Sequence, residues 1–443
     1  MSKVKDGIEL GQFTDTFELH SNGAFKDVFD ILHNNDARDI RYIRSENVGE
    51  YFIEGNLDYI SNYAHNHLPK TKTKLGDILT ARTGKVGGAS VITDNWINCN
   101  SNQNVVNIRI RDVNYINPFY LTVFLNSKFG IIQFEKSSTG NVQPWLNLSL
   151  LRKVKVPLLS EQFQLTISSI FNDAHGKNLA YKKNYNDAEN FLLQEIQFLD
   201  FDESKEAINI KPFSESFKTT GRLDAEYYQP KYEQVMNKIT QQRFDSLANI
   251  VNITKSIEPG SAYYDVEGLP FMRVADFSKT GLTEPQKFLN DYFVKENKEK
   301  IKDLKPKKDT ILFSKDGSVG IAYQLRQDFN GITSGAILHL KIRDEKRVIP
   351  EYLTLALNSK LVQMQAERDA GGSIILHWRV SEIENVVVPI IDYAKQEKIA
   401  ELIEESFSLK KQSEHLLEVA KRAVEIAIEE NEETAMNYIK NNS

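Results

Sequence analysis

One long internal repeat dominates this sequence and limits the folds that it can adopt. The segment Pro118–Lys128 returns as Pro350–Lys360, 232 residues later and without a gap, and most of its positions are identical. The match continues downstream at the same offset, where Val154–Pro157 corresponds to Val386–Pro389. Repeats of roughly 20–50 residues indicate solenoids, and this repeat is far longer. The sequence therefore predicts a duplicated domain, and two similar units suggest a task in two parts.

The repeat also extends upstream through two apolar segments. Ile108–Asp112 corresponds to Leu340–Asp344 at the offset of 232, and Ile78–Leu79 corresponds to Ile311–Leu312 at an offset of 233. Alternation of polar and apolar residues in this region is typical of strands, and a glycine-rich loop lies between them in both copies. The one-residue slip between the two offsets falls in that loop.

Composition places the chain among ordinary globular proteins. Its 443 residues allow roughly two to four domains, and 41% of them are hydrophobic. No apolar run approaches the ~20 residues of a membrane-spanning helix, and the N-terminus has no apolar signal region. The single cysteine, Cys99, excludes internal disulfides and a cysteine-rich zinc site. We therefore expect a cytoplasmic protein that does not enter a membrane.

The net charge of −6 is unevenly distributed along the chain. Residues 1–155 hold 18 Lys and Arg against 16 Asp and Glu, a balance of +2, whereas residues 392–443 hold 7 against 12, a balance of −5. The acidic residues are thus concentrated in the last helical segment. A basic surface elsewhere is compatible with the negative sum, so the net charge does not exclude a nucleic-acid partner.

Each copy ends in a proline that is followed by a long helical stretch. Pro157 precedes a helix predicted from about residue 160 to 199, and Pro389 precedes one from about 393 to 440. A helix of ~40 residues is about 60 Å long, which favours a two-helix coiled coil over an ordinary domain helix. The alternative is a helical hairpin or bundle packed on its own domain.

The order of these elements resembles that of the specificity subunits of type I restriction–modification systems. Two variable α/β domains, each closed by a proline and a long helix with Glu and Gln near its start, are typical of that family. The resemblance covers nearly the whole chain, and it is carried by the duplicated order of the motifs. In the first copy they are Gly76–Gly84, Asn117–Leu121, and Lys155–Leu158 with Glu161-Gln162; in the second they are Asp309–Gly317, Pro350–Leu353, and Val388–Ile390 with Gln396-Glu397.

The resemblance implies a mixed α/β (α+β) fold with pseudo-two-fold symmetry. Two similar target recognition domains are separated by two long antiparallel helices that form a coiled coil. The expected boundaries are target recognition domain 1 at 1–158, a central conserved long helix at 159–200, a linker at 201–222, target recognition domain 2 at 223–391, and a C-terminal conserved long helix at 392–443.

The resemblance also implies a non-catalytic role in reading DNA. Each target recognition domain reads one half of a bipartite target in double-stranded DNA, and the helices set the unread spacer. The helices also dock two modification subunits, which methylate adenine with S-adenosylmethionine, and restriction (nuclease and translocase) subunits complete the complex. The chain itself is expected to bind no cofactor, because S-adenosylmethionine, ATP and magnesium are expected only on the partner subunits. Reading heads about one DNA turn apart, ~34 Å, need a rigid rod of that scale.

The candidate DNA-reading residues lie in the loops that follow the strands. Direct readout uses Arg or Lys for guanine and Asn or Gln for adenine, and glycine-rich loops allow the backbone to approach phosphate closely. In the first copy we expect DNA contacts from Arg44, Ser45, Arg82, Thr83, Lys85 and the loop Ser138–Trp145, within which Ser138, Thr139, Asn141, Gln143 and Trp145 carry the useful side chains. In the second copy we expect them from Arg273, Lys315, Asp316, Ser318, Ser373, His377 and Arg379.

The two copies differ from one another in these motifs. Lys315-Asp316 stands in the second copy where the first has Arg82-Thr83, as two different half-sites would require. The order of Gln396-Glu397 is also reversed relative to Glu161-Gln162, which weakens that motif in the second copy.

Two short motifs imitate catalytic sites. Asn117–Tyr120 is close to the Asn-Pro-Pro-Tyr motif of adenine methyltransferases, but its repeat partner Ile349–Tyr352 lacks the amide. His65-Asn66-His67 lacks the spacing and scaffold of a nuclease site. We therefore expect no catalytic residues and no metal ligands. The competing hypotheses are a methyltransferase or nuclease that acts alone, and a two-headed coiled-coil scaffold that binds proteins rather than DNA.

Overall fold

The computed structural model of the chain describes residues 4, 6–33, 36–83, 87–139, 145–206, 208–372 and 375–443. The chain divides into two compact units, the first made of Met1–Leu179 and Lys410–Ser443 and the second of Ala180–Leu409. Both units combine sheets with helices, so the predicted mixed fold class is confirmed. No helix among the described residues is long and apolar enough to cross a membrane.

The two halves of the chain share a common order of main-sheet strands and helices, and the second half contains additional short strands and helices. The first half contains β1 (Ile8–Glu9), α1 (Leu10–Phe13), β2 (Thr14–Phe17), α2 (Phe25–Leu32), β3 (Arg38–Ile43), β4 (Asp58–Ser61), α3 (Asn62–His67), β5 (Ile78–Ala81), β6 (Ser90–Val91), β7 (Asn100–Ser101), β8 (Val105–Ile110), α4 (Pro118–Asn126), α5 (Lys128–Lys136), β9 (Ser138–Thr139), β10 (Trp145–Leu146), α6 (Leu148–Leu151), β11 (Lys155–Val156) and α7 (Glu161–Glu195). The second half contains α8 (Phe217–Thr220), α9 (Pro230–Thr240), β12 (Phe244–Ser246), α10 (Leu247–Ile250), β13 (Val251–Lys255), β14 (Tyr264–Asp265), β15 (Leu269–Met272), β16 (Phe277–Ser278), β17 (Gly281–Leu282), β18 (Phe288–Leu289), α11 (Asp291–Glu296), α12 (Lys298–Leu304), β19 (Ile311–Ser314), β20 (Asp316–Gly317), β21 (Ala322–Gln324), β22 (Ile332–Thr333), β23 (Ile337–Ile342), α13 (Pro350–Asn358), α14 (Lys360–Asp369), β24 (Leu376–His377), α15 (Val380–Ile383), β25 (Val387–Pro389), α16 (Tyr393–Glu429) and α17 (Glu432–Asn442). Short 3-10 turns lie at Leu19–Asn22, Ser45–Asn47, Pro69–Thr71, Asp94–Trp96, Ala225–Tyr228, Ser261–Tyr263 and Val274–Asp276.

The first unit is built on a four-stranded antiparallel sheet with the order β2-β8-β5-β6. All four residues of β5, including the polar Thr80, are buried, so both faces of this interior strand are covered. A smaller sheet, β4-β3-β7, lies beside it and contains a parallel pairing of β3 with β7. The helix α4 packs against the larger sheet in the main hydrophobic core.

The second unit repeats this plan. Its antiparallel sheet has the order β13-β23-β19-β21, and its smaller sheet, β14-β18-β15-β22, again contains one parallel pairing, here of β15 with β22. The short ladder of β1 with β11 returns as β12 with β25. The sequence repeat therefore corresponds to two copies of one domain fold.

The repeated segment Pro118–Lys128 forms α4 and the start of α5. A tyrosine hydroxyl present in both copies holds each domain to the segment before its long helix. The side chain of Asn117 caps α4 by accepting hydrogen bonds from the backbone N–H groups of Phe119 and Tyr120 at 2.9 and 3.3 Å. The Tyr120 hydroxyl donates to the Pro157 carbonyl at 2.7 Å, and Tyr352 donates to Pro389 at 2.5 Å.

A glutamine on each long helix makes the same backbone contact in both copies. The Gln164 side chain accepts a hydrogen bond from the Asn117 N–H at 2.9 Å, and Gln396 accepts one from the Ile349 N–H at 3.0 Å. Gln396 therefore corresponds to Gln164. The sequence alignment of Gln396-Glu397 with Glu161-Gln162 was wrong by register, because short Glu and Gln motifs do not show which turn of a helix faces the domain.

The two long helices pair within each unit. In the first unit, Ser413 Oγ donates to the Ala174 carbonyl at 2.7 Å, and Lys177 Nζ donates to Gln412 at 3.0 Å. In the second unit, Ser406 Oγ donates to the Tyr181 carbonyl at 2.8 Å. Residue numbers rise along α7 as they fall along α16 in these contacts, so the pairing is antiparallel. The helical stretch predicted to reach about residue 440 ends at Glu429, and α17 follows after a break that Asn431 caps.

A buried histidine in the second unit makes its stability depend on pH. His339 lies 2.8 Å from the Thr333 hydroxyl, and burial lowers the pKa of His339 to about 4. The unfolded chain, with a pKa of ~6.5, binds a proton first as the pH falls, so this stability is present above pH ~6.5 and is lost between ~6.5 and about 4.

We expect the free energy of unfolding to fall by about 2 kcal/mol more between pH 7 and pH 5 in the wild type than in His339→Asn. Asparagine is a matched replacement because Asn107 occupies the equivalent position of the first unit. Urea unfolding at the two pH values measures the difference. Equal pH dependence in the two proteins would show that His339 has the same pKa in the folded and the unfolded chain.

Candidate nucleic-acid interface

In the first unit, several of the candidate residues that the structure describes lie at one edge of the large sheet. The strands β2 and β5 both run antiparallel to β8 and are therefore parallel to each other, so they end at the same edge. Glu18 follows β2 and Arg82 follows β5, at the edge where β8 begins. We call the residues gathered there, Glu18, Arg44, Arg82, Thr83, the turn 102–104 and Trp145, the loop edge of the first unit.

The turn before β8 holds two of the predicted arginines close together. Asn102 donates its backbone N–H to the Ile43 carbonyl at 2.9 Å, immediately before Arg44. Arg82 donates its backbone N–H to the Asn104 carbonyl at 2.7 Å. Backbone hydrogen bonds on both sides of one short turn thus fix the positions of Arg44 and Arg82, although these residues are far apart in sequence.

Arg82 is the most constrained cation of this edge. Its guanidinium forms an ion pair with Glu18 and lies over the ring of Trp145, with 4.2 Å between the Arg82 Cζ and the ring centroid. The side chains of Arg82 and Glu18 are only 12% and 16% exposed. Burial lowers the pKa of Arg82, but arginine remains charged in proteins. The guanidinium is therefore held between a carboxylate and an aromatic face.

The described C-terminal end of the predicted loop after α5 lies beside Arg82. Leu146 donates its N–H to the Arg82 carbonyl at 2.8 Å, and a backbone bridge joins Thr83 to Trp145. Trp145 remains 40% exposed, as a residue that contacts a ligand requires. Ser138 Oγ donates to the Phe134 carbonyl at 2.9 Å, so this hydroxyl is engaged at the end of α5. Thr139 pairs with Trp145 across β9 and β10, while Lys85, Asn141 and Gln143 lie outside the described residues.

Arg44 and Ser45 lie at the start of the 3-10 turn Ser45–Asn47. The Asn47 side chain accepts the Arg44 backbone N–H at 2.9 Å and fixes the entry to this turn. The Arg44 guanidinium donates to Asp58 at 3.0 Å, yet its side chain is 44% exposed. An exposed pair of this kind contributes little to stability, so Arg44 is able to exchange its partner at small cost.

The second unit presents the same edge with different side chains. Ser334 donates its N–H to the Met272 carbonyl at 2.8 Å, next to Arg273, and Lys315 donates its N–H to the Ala336 carbonyl at 2.9 Å. We call Lys255, Arg273, Lys315, Asp316, the turn 334–336 and His377 the loop edge of the second unit. Its backbone contacts match those of the first unit one for one.

Three predicted residues of the second unit form one charged cluster. Asp316 forms an ion pair with Lys315 through Oδ2, and its Oδ1 lies 2.9 Å from His377 Nδ1. Asp316 also pairs with His377 across β20 and β24, as Thr83 pairs with Trp145 in the first unit. The His377 side chain is 65% exposed. Gly317 has a φ of +76°, which favours glycine at this sharp turn of the loop.

The remaining predicted residues of the second unit lie around this cluster. Arg273 Nε lies 3.7 Å from the Asp276 carboxylate, at the start of a 3-10 turn equivalent to Ser45–Asn47. Arg379 is 81% exposed and lies 3.9 Å from Glu382. Ser318 is exposed, and its carbonyl accepts the Ser314 hydroxyl at 2.5 Å. Ser373 lies outside the described residues.

The motifs that imitate catalytic sites have structural partners instead. The side chain of Asn117 is occupied in capping α4, and His65 is buried with its Nδ1 2.5 Å from Asn100. Burial lowers the pKa of His65 and raises that of the Cys99 thiol, which keeps both groups neutral. Within the part of the chain that the structure describes, no three His, Cys, Asp or Glu side chains are grouped to hold a metal ion.

Sequence reasoning missed two carboxylates, Glu18 and Asp58. Each pairs with a predicted arginine, but neither lies within a repeated motif. The strand register is the signal that would have found Glu18, since it places the end of β2 beside the end of β5. That register depends on tertiary pairing and cannot be read from the local pattern.

Comparison with known proteins identifies the second half of the chain. Residues 239–419 match the family described as type I restriction modification DNA specificity domain, which confirms the resemblance found in the sequence. No curated protein is found to match the chain. Among solved structures, a type I restriction–modification S subunit from M. genitalium is 14% identical, with 98% of this chain and 95% of that chain covered and a TM-score of 0.42. The HsdS subunit from Thermoanaerobacter tengcongensis is also 14% identical, with 96% of each chain covered and a TM-score of 0.31.

Proposed function

We propose that this chain, whose residues 239–419 match the type I restriction modification DNA specificity domain family, reads a bipartite target in double-stranded DNA, one half-site with each unit. The observation that carries the proposal is the repeated loop edge. The same backbone contacts present a cation after the central strand in both units, Arg82 in one and Lys315 in the other, with a second arginine across the turn. One scaffold with two sets of side chains suits two half-sites of different sequence.

The side chains of the loop edges have the chemistry that base reading requires. Arginine and lysine donate to the O6 and N7 acceptors of guanine, and a carboxylate accepts from the amino group of cytosine. In the first unit these donors are Arg44 and Arg82, and in the second they are Arg273 and Lys315. Each of them is paired with a carboxylate in the free chain. That pairing reduces non-specific attraction to phosphate, which suits a reader that must discriminate between sequences.

The chemistry on the DNA belongs to partner subunits in this proposal. Two modification subunits would methylate adenine with S-adenosylmethionine, and restriction subunits would add ATP- and magnesium-dependent translocation and cleavage. The paired helices α7 and α16 offer the docking surface. Leu165 and Leu179 on α7 are 51% and 40% exposed, and Leu158 just before it is 47% exposed. Exposed apolar side chains of this kind are available to a protein partner.

The test is to mix the purified chain with the adenine methylase encoded beside it and to sequence single DNA molecules exposed to the pair. Methylated adenines in one split motif with a fixed gap are expected, and they give both half-sites directly. Methylation that does not need this chain, or a chain that binds neither the methylase nor DNA, would favour a protein-binding scaffold instead.

Replacing the predicted arginines is expected to relax the recognition of single base pairs. Arg44→Ala and Arg82→Ala should each weaken specific binding by about 1–3 kcal/mol and reduce the preference at one position of the first half-site, because a guanine contact is lost. Competition binding with DNA duplexes mutated one position at a time measures this.

Arg111→Ala is a matched control for these two variants. Arg111 lies just beyond the opposite end of β8, where it pairs with Asp15 in an exposed ion pair. Its replacement should leave the base preferences intact. Unchanged affinity and unchanged base preference in both Arg44→Ala and Arg82→Ala would show that this edge does not read DNA.

A further inference from the structure

Arg82 after β5 and Lys315 after β19 each pair with a carboxylate, but the two carboxylates come from different positions in their units. In the first unit, Arg82 pairs with Glu18, which comes from the neighbouring end of β2. In the second unit, Lys315 pairs with the next residue, Asp316. The strand registers place Lys255 where the first unit has Glu18, because Thr14 lies opposite Ile110 and Val251 lies opposite the equivalent Ile342. The acidic partner has therefore changed its position while the pairing itself is present in both units.

The pairing fixes side chains that would otherwise move. Arginine has a long, flexible side chain, and an unrestrained guanidinium loses rotamer entropy when it must be ordered on binding. Arg82 is restrained on two sides, by Glu18 at its edge and by Trp145 against its face. The restraint leaves a planar donor group in one orientation, which is the condition for bidentate recognition of a base.

Stability alone does not account for this ion pair. Both side chains of the pair are largely buried, at 12% and 16% exposed. Removing charges from water costs about as much as their attraction returns, so a buried ion pair adds little net stability compared with apolar packing. The ion pair instead holds the hydrogen-bond donors of Arg82, a proposed base-reading residue, in one geometry. Apolar side chains could not donate hydrogen bonds to a base.

We propose that Glu18 is the positioning residue for Arg82 and that Asp316 has the same role for Lys315, so that each half-site is specified through its own carboxylate. This inference rests on the proposed function. Glu18 acts through Arg82 and needs no contact with DNA. Asp316 also holds His377 through its second oxygen, so two side chains of the second loop edge depend on it.

The experiment uses the full chain in complex with its methylase and measures the methylated motif by single-molecule sequencing. Glu18→Gln is expected to reduce discrimination at one base pair of the first half-site on the order of tenfold while leaving the second half-site unchanged. Asp316→Asn is expected to have the mirror effect, on the second half-site only. Glu18→Asp retains the charge and should restore part of the discrimination.

The chain supplies a matched control and an internal one. Asp15→Asn removes a carboxylate from β2, the strand that Glu18 follows. Asp15 forms an exposed ion pair with Arg111, so this variant should alter neither half-site. The unaffected half-site of each variant reports on folding and assembly within the same molecule. Thermal unfolding of each variant should match the wild type to within a few degrees.

The outcomes separate this inference from the function on which it rests. If the wild-type complex methylates no split motif, the proposed function itself is wrong. If the wild type methylates a split motif but Glu18→Gln keeps the full base profile of both half-sites, the positioning role is wrong and the function stands. If Glu18→Gln weakens both half-sites equally and lowers the unfolding temperature, Glu18 is a structural residue only.

Discussion

Replacing Phe171 by alanine is expected to lower the free energy of unfolding of the first unit by about 3–5 kcal/mol. Phe171 lies on the long helix α7 and is fully buried. Its ring stacks on that of Phe119, with 5.0 Å between centroids, and contacts Tyr51 and Phe52 with centroid distances of 6.2 and 5.7 Å. This one side chain thus packs the helix against the domain, and its loss leaves a cavity that three aromatic neighbours cannot fill.

Urea unfolding of the two proteins measures this effect. Leu165→Ala is the matched control, because Leu165 lies on the same helix but is 51% exposed. That variant should change the free energy of unfolding by less than about 1 kcal/mol, since little buried surface is lost. A similar small change in Phe171→Ala would show that α7 is not anchored through this cluster.

Replacing Asp77 by alanine is the second change with a large expected effect, again about 3–5 kcal/mol of unfolding free energy. The Asp77 side chain is 2% exposed and forms a salt bridge with Arg109 at 2.7 Å. It also accepts hydrogen bonds from the Lys74 backbone at 2.8 Å and from Asn107 at 3.0 Å. Without the carboxylate, the guanidinium of Arg109 loses its ionic partner and keeps the Lys72 carbonyl at 2.8 Å, while the amide of Asn107 loses its acceptor in a poorly solvated site.

The loss at Asp77 should also reach the loop edge. Asp77 immediately precedes β5, and Arg82 immediately follows it, so loosening the start of the strand moves the cation at its end. The measurement is urea unfolding together with DNA binding. Asp15→Ala, which breaks only the exposed pair with Arg111, should cost at most about 1 kcal/mol and leave DNA binding unchanged. Equal losses in the two variants would mean that burial does not distinguish these ion pairs.

Several parts of the site were predictable from the sequence because the two copies of the repeat can be aligned with each other. Arg82 and Lys315 were found at equivalent positions of two copies, and the structure places both after the central strand. The sequence argued against a catalytic role for Asn117 because its repeat partner, Ile349, lacks the amide, and in the structure the Asn117 side chain caps α4. In both cases the information is local, since residues that follow a strand or begin a helix keep that relation in any fold.

The partners of those residues were not predictable in the same way. Glu18 lies 64 residues from Arg82, and the contact of Arg82 with Trp145 joins two separate loops. The register of Gln396 with Gln164 likewise depends on which helix turn faces the domain. Such pairings depend on how strands and helices pack, and many registers are compatible with the same local pattern.

The sequence by itself determined the duplication, the mixed fold class and the long helices, because periodicity, turn residues and the repeat are properties of neighbouring residues. Only the tertiary structure decided which carboxylate pairs with Arg82 and which half of each long helix pairs within which unit. The physical reason is that burial and ion pairing act between residues that are distant in sequence and that strand pairing brings together. Glu18 illustrates this, because nothing near it in the sequence indicates its role, and the sheet places it beside Arg82.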